Sequence, residues 1–292
     1  RWPKLVRAPI GLPVAAVRGV PELPSLLEST VALAHEAGSL LMEGFRHDAE
    51  VESKGEGGDV VTDYDRRCEA LLRERLADLL PGSRVVGEEA DDAPGGLAWY
   101  VDPIDGTGNF AHGHPWFCLS IGLWDGDAPL VGVVHAPAMG LTHAAARGHG
   151  TRRNGRAVRV SSTASLDAAL MATGFPHDRA RNPDNNYRPF VTLDARSHGV
   201  RRCAAAALEL AMVADGAYDG FWDAGLKPWD LAAGILLVQE AGGRVTDFTG
   251  APVRFADAPR LGQIVATNGR IHQPLQDALA HARALPPITQ VT

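Results

Sequence analysis

The chain has 292 residues, of which 45% are hydrophobic and 22% charged, and its formal net charge is -7. That composition is ordinary for a soluble globular protein with a sizeable core, in one large domain or two fused ones. The acidic balance argues against a nucleic-acid backbone as partner, because such binding rests on surplus Lys and Arg. It leaves room for a small phosphorylated substrate, since a bound metal can supply the positive charge. Cys68, Cys118 and Cys203 are odd in number and form no C-x-x-C pair. A disulfide framework or thiolate zinc site is therefore not expected, and a reducing, cytoplasmic setting is. No apolar run reaches the ~18 residues of a spanning helix, so no membrane partner is expected. The chain begins at Arg1, which leaves a removed targeting segment open.

Residues 1–24 carry five prolines and read as an N-terminal extension with little regular structure. A helix is expected from Ser25, where Ser25 and Glu28 have capping-box spacing and Leu26, Leu27, Val31, Ala34, Leu41 and Phe45 form an apolar stripe. A glycine loop, Gly55 to Gly58, follows Lys54. A second helix is predicted from near Asp63 to Leu80, stopped by Pro81-Gly82. Strands are expected at Arg84 to Gly87, Ala98 to Val101, Phe117 to Trp124, Leu130 to His135 and Leu141 to Ala146. Asn154-Gly155 is a strong hairpin signal. Beyond about Ser161 the pattern alternates. Strands are read at Ala169 to Thr173, Val200 to Cys203, Tyr218 to Trp222, Arg244 to Thr246 and Gln263 to Thr267. Helices are read at Tyr187 to Ala195, Ala204 to Ala214, Pro228 to Ala241 and Ile271 to Leu285. The whole is a mixed, layered α/β (α+β) chain with a seam near residues 155–165. Residues 25–160 form an N-terminal half and residues 161–292 a C-terminal half.

Three acidic stations stand at element boundaries: Gly87-Glu88-Glu89 after a strand, Asp102-Pro103-Ile104-Asp105-Gly106-Thr107 after another, and Trp229-Asp230 opening a helix. Pro103 is expected to force a turn that points Asp105 back toward Asp102. Two carboxylates held together repel unless a cation or proton lies between them. Hard oxygen ligands of this kind suit Mg²⁺. Gly106-Thr107-Gly108 can open a helix whose free N–H groups face the same place and would receive an anion. Each station alone has an ordinary explanation as a polar turn, a solvated face or a helix cap. Their joint occurrence is what points to metal-assisted phosphoryl transfer to water.

The residues Asp102 to Phe110, D-P-I-D-G-T-G-N-F, followed by Pro115 and Ser120-Ile121-Gly122, resemble the first signature of the inositol monophosphatase family. Trp229 to Gly243, W-D-L-A-A-G-I-L-L-V-Q-E-A-G-G, resembles its second. Asp59 to Thr62 with Asp65, Asn154-Gly155-Arg156 and Gly225 to Pro228 extend the likeness over about residues 25–285. The resemblance implies a layered α/β/α/β/α sandwich, a homodimer, lithium sensitivity and two or three Mg²⁺ ions. It implies metal ligands at Glu88, Asp102, the Ile104 carbonyl, Asp105 and Asp230. Asp65 and Thr107 become the pair that orients and deprotonates the attacking water, with Glu88 also catalytic, and Gly106 and Thr107 offer backbone N–H groups to phosphate. Asp223 stands where the family often has an acidic residue for substrate hydroxyls. Where the family shows Gly followed by Ser or Thr, this chain has Ala204 and Ala205, which puts inositol phosphate itself in doubt on the substrate side. Arg201 and Arg202 face an anionic substrate, a dimer partner or only solvent. The implied activity is hydrolysis of a small polyol or sugar phosphate of the inositol 1-phosphate type. Histidinol phosphate, fructose 1,6-bisphosphate, a 3′-phosphonucleotide or NADP are the alternatives, and a non-catalytic regulatory protein of the same fold is another.

Overall fold

A computed structural model describes residues 20–47, 51–53, 60–88, 96–255, 262–286 and 288. Most of the N-terminal extension, Lys54, the glycine loop, Asp59 and Glu89 lie outside the described residues. The first helix is α1 (Leu23–Gly44). The strands β1 (Val51–Ser53) and β2 (Val60–Thr62) form an antiparallel ribbon that leads into α2 (Asp63–Leu79). Next come β3 (Arg84–Gly87), β4 (Leu97–Asp105), α3 (Thr107–Ala111), β5 (Cys118–Asp125), β6 (Ala128–Ala136) and β7 (Leu141–Ala146). The hairpin β8 (Thr151–Arg153) and β9 (Arg156–Val158) completes a seven-stranded sheet in the order β3-β4-β5-β6-β7-β8-β9.

The second half contains β10 (Leu170–Thr173), α4 (Tyr187–Asp194), β11 (Gly199–Arg201), α5 (Ala206–Ala214) and β12 (Gly220–Ala224). It ends with α6 (Pro228–Glu240), β13 (Arg244–Thr246), β14 (Gln263–Thr267) and α7 (His272–Ala284). Its five strands pair in the order β11-β10-β12-β14-β13. Helices α1 and α2 cover one face of the large sheet; α5 and α6 lie between the two sheets; α4 and α7 cover the far face of the small one. Three apolar cores correspond to these three interfaces. The result is the five-layer α/β/α/β/α sandwich. The central helices read as almost wholly apolar because both their faces are buried: every residue from Leu231 to Val238 is inside.

Three local readings are corrected. Helix α1 starts at Leu23 rather than Ser25, with no side-chain cap, because Pro24 fits the first helical turn and lets the helix begin before it. Pro103 does not force a turn. Strand β4 runs on to Asp105, and the register against β5 shifts between the Asp102–Ser120 and Asp105–Cys118 pairs, which is a bulge. Helix α5 begins at Ala206 instead of Ala204, because Ala204 has φ +60° and breaks the helical path. The Asn154-Gly155 hairpin is formed as expected, with φ positive at both residues.

Candidate active site

The β4 bulge is the centre of the site. It lets two carboxylates three residues apart, Asp102 and Asp105, both stay buried at the end of one strand, 3% and 8% exposed. Asp102 accepts the Ile104 N–H through Oδ1 at 3.0 Å. The chain leaves the bulge through Gly106 at φ +90°, a conformation that suits glycine, and enters α3. Space there is also tight: a Cβ on Gly106 would lie 3.1 Å from the Ala204 carbonyl oxygen and 3.3 Å from Ala205 Cβ.

The other acids come from three further elements. Asp65 is the third residue of α2 and is fully buried. Its Oδ2 accepts from the Thr62 N–H at 2.7 Å and the Thr62 hydroxyl at 2.6 Å, which leaves Oδ1 to accept the Thr107 hydroxyl at 3.1 Å. The Thr107 hydroxyl also lies 2.9 Å from the Ile104 carbonyl oxygen. Glu88 follows β3. That strand end is drawn against α2, for a Cβ on Gly87 would meet the Glu69 carboxyl carbon at 2.5 Å. Asp230 is in the first turn of α6 and accepts the Lys227 N–H at 2.7 Å. Helix α6 lies so close to the large sheet that a Cβ on Gly122 would stand 2.6 Å from Ala232 Cβ.

These acids repel one another. Burial, then Glu88, Asp105, Asp230 and Asp65, push the Asp102 carboxyl far above the usual range. Burial, then Asp105, with Glu88 and Asp223 adding to them, does the same to Asp230. Asp105 is raised by burial to about 6, against the pull of the Ala207, Leu208 and Ala206 N–H groups. A cation among them would relieve this cost. The donors are all hard oxygens, which fit Mg²⁺ and not a thiophilic metal. Among the described residues no three His, Cys, Asp or Glu groups close into a ready cage. Mg²⁺ does not require one, since it keeps several waters and binds through one or two carboxylates at a time. A separate cavity of about 890 Å³, lined in part by His35, His135, Thr142 and Arg152, opens between α1 and the β6–β7 end of the sheet and holds none of these acids.

Residues 22–284 match the model of the inositol monophosphatase family. The chain belongs to that family. It is therefore an inositol monophosphatase-like phosphoric monoester hydrolase. It is 42% identical over 266 residues to an inositol-1-monophosphatase of Synechocystis sp., covering 88% of this chain and 91% of the relative. It is 39% identical over 258 residues to the Nus factor SuhB of Pseudomonas aeruginosa, covering 86% and 94%. The solved inositol monophosphatase of Anabaena (Nostoc) sp. superposes with a TM-score of 0.81 at 38% identity, covering 92% of this chain and 99% of that one.

In this family member the sequence-selected residues Asp65, Glu88, Asp102, Ile104, Asp105, Thr107 and Asp230 come together from four segments. Asp223, on β12, joins them from the small sheet: its carboxyl is buried, accepts the Ala224 N–H at 2.5 Å, and is raised to about 7 by burial, partly offset by that N–H, and by Asp105. Ala205 packs beside Gly106. Arg202 lies apart from the acids' hydrogen bonds, with its guanidinium 5.7 Å from the Phe175 ring centre. Three participants escaped the sequence reading. Thr62 fixes Asp65 through a reciprocal capping box, and T-x-x-D at the start of a helical pattern was a visible signal for it. Cys118 donates its thiol to Asp105 Oδ2 at 3.6 Å. Glu209, 1% exposed, had no signal beyond a lone acid in an apolar helix.

Proposed function

We propose that this chain is a Mg²⁺-dependent phosphomonoesterase acting on a small polyol or sugar phosphate of the inositol 1-phosphate type. The observation that carries the reading is the acid cluster, with Asp102 and Asp105 buried and Glu88 and Asp230 half-buried, in which the neighbouring acids raise Asp102 and Asp230 beside a fixed Asp65–Thr107 pair. In this reading Glu88, Asp102, the Ile104 carbonyl, Asp105 and Asp230 hold two or three Mg²⁺ ions. Bound there, Mg²⁺ supplies positive charge for the phosphate oxygens and acidifies a water.

The protein's own part follows from its hydrogen bonds. Asp65 cannot swing, because Thr62 holds its Oδ2 twice. Its Oδ1 therefore meets Thr107 in one orientation. The Thr107 hydroxyl orients the attacking water and passes its proton to Asp65. Backbone N–H groups at Gly106 and Thr107 receive the phosphate, and Asp223 and Ala205 face the alcohol. No side chain needs to attack phosphorus, so no covalent intermediate on the protein is required. A homodimer in the cytoplasm is the expected setting.

Phosphate release should be measured with and without Mg²⁺ on inositol 1-phosphate, histidinol phosphate, fructose 1,6-bisphosphate, a 3′-phosphonucleotide and NADP, with lithium as inhibitor. Mg²⁺-dependent turnover of a polyol or sugar monoester supports the reading. Silence on every substrate by metal-loaded protein would sink it and favour a non-catalytic regulatory role, a second reading prompted by the relatives named Nus factor SuhB.

A further inference from the structure

Helix α5 lacks a cap of its own. Its N-cap residue is Ala205, which offers no side-chain acceptor. The first N–H groups of the helix go instead to Asp105: Ala206 N to Oδ1 at 3.1 Å, Ala207 N to Oδ2 at 2.7 Å, and Leu208 N to Oδ2 at 3.4 Å. The place of Asp105 thus depends on where α5 begins. That start is set by Ala204, a non-glycine residue in the left-handed region at φ +60°. Alanine does not hold this conformation unaided.

Two side chains brace the turn. The Asn109 amide donates one N–H to the Cys203 carbonyl at 2.8 Å and the other to the Trp116 carbonyl at 2.7 Å. Glu209, almost fully buried, reaches back along α5 and accepts the Cys203 N–H at 3.0 Å. Both backbone polar groups of Cys203 are held, one from the segment that follows β4 and the other from α5 itself. The Ala204 carbonyl is then seated against Gly106.

We propose that Asn109 and Glu209 are positioning residues for the reaction. They clamp Cys203, keep Ala204 left-handed, and so aim the start of α5 at Asp105 and at the wall beside Gly106. The inference rests on the reading of Asp105 as a metal ligand. Neither residue touches a reacting atom.

The test compares wild type, Asn109→Ala, Glu209→Ala, Glu209→Gln, and each alanine variant combined with Ala204→Gly. Two quantities are read: the Mg²⁺-induced rise in Tm by scanning calorimetry, and the Mg²⁺ concentration for half-maximal phosphate release. Residues that orient metal ligands typically change metal affinity by about 10–100-fold. Asn109→Ala and Glu209→Ala should need about tenfold more Mg²⁺ for the same Tm rise and the same rate. Glu209→Gln keeps an oxygen to accept the Cys203 N–H and should recover the wild-type Mg²⁺ response. Ala204→Gly makes the left-handed turn cost little and should restore most of the response in both alanine backgrounds, which a merely structural role would not do. Wild-type Mg²⁺ response in Asn109→Ala and Glu209→Ala overturns the clamp alone. Failure of Glu209→Gln and of the glycine rescue overturns it as well. If wild type itself shows no Mg²⁺ response, the metal reading falls and the clamp falls with it. If wild type responds to Mg²⁺ yet releases no phosphate, the substrate reading fails while the Tm series still decides the clamp.

Discussion

At the scale of single residues, the decisive contact is between Thr107 and Asp65, which are 42 positions apart and meet at 3.1 Å. A hydroxyl placed between a carboxylate oxygen and a backbone carbonyl has little choice of orientation. A positioned proton acceptor of this kind contributes about 10²–10⁴-fold to a rate. Replacing Thr107 by Val keeps the shape and removes the hydroxyl. We expect kcat for phosphate release to fall by about 10²–10³-fold, with KM and Tm close to wild type. Thr107→Ser should retain most activity. A Val variant within threefold of wild-type kcat would remove Thr107 from the mechanism. The sequence nominated Thr107 and Asp65 through the family resemblance, one within the D-P-I-D-G-T run and the other just after the Asp59 to Thr62 run. The T-x-x-D spacing carried a signal for Thr62 as well, but its two bonds to the aspartate's second oxygen are seen only in the N-cap geometry.

At the scale of elements, α6 carries Asp230 to the site, and glycine sets how closely it approaches. A Cβ at Gly122 would stand 2.8 Å from the Ala232 carbonyl carbon, and one at Gly132 would stand 2.8 Å from the Ala233 carbonyl oxygen. The backbone of a helix cannot yield to such contacts as a flexible side chain can. Overpacking of this kind costs typically about 1–3 kcal/mol. Gly122→Ala should therefore lower Tm by several degrees. Because α6 must shift, it should also raise the Mg²⁺ concentration needed for half-maximal activity. Thermal unfolding and a Mg²⁺ titration on the same variant check both. A Tm loss with unchanged Mg²⁺ dependence would mean that Asp230 does not follow the helix.

Most helices and strands were legible because their determinants are local: Pro228 and Gly242-Gly243 around α6, Pro81-Gly82 after α2, and Asn154-Gly155 in the hairpin. The β4 bulge and the late start of α5 were not. The first depends on pairing with β5, and the second on bonds to Asn109 and Asp105 from distant parts of the chain together with Glu209 reaching back along α5. The site was legible as a set of residue types, while the route by which α5 holds Asp105 was legible only in three dimensions.

At the scale of the whole molecule, the site is a stability cost that the fold carries until a cation or protons offset it. Asp105, raised to about 6, and Asp223, raised to about 7, are both lifted chiefly by burial. Between the ordinary carboxylate range and pH 7 the folded state binds more protons at these groups than the unfolded chain does. Their contribution is fully present at low pH and is lost as pH rises through the folded values. His135 and His272 act in the opposite sense. Burial first, and then a neighbouring charge, lowers each to about 4, so their protonation in the unfolded chain makes stability rise with pH up to about 6.5. The acids outweigh them in number, since Asp102, Asp230 and Glu209 are raised as well, Glu209 by burial above all. In a chelator, Tm should therefore fall between pH 5 and pH 7.5. Saturating Mg²⁺ should remove most of that decline, because binding to the folded state alone adds stability, and adds most where the carboxylates are ionised. The Asp102→Asn and Asp105→Asn double variant isolates the acids from the histidines. It should be more stable than wild type in chelator at pH 7.5, show a smaller decline in Tm between pH 5 and 7.5, and be unresponsive to Mg²⁺. Calorimetric scans at four pH values, with and without Mg²⁺, check all three. A double variant that loses stability at pH 7.5 in chelator would mean that these carboxylates hold the fold together by their hydrogen bonds to backbone N–H groups more than they strain it.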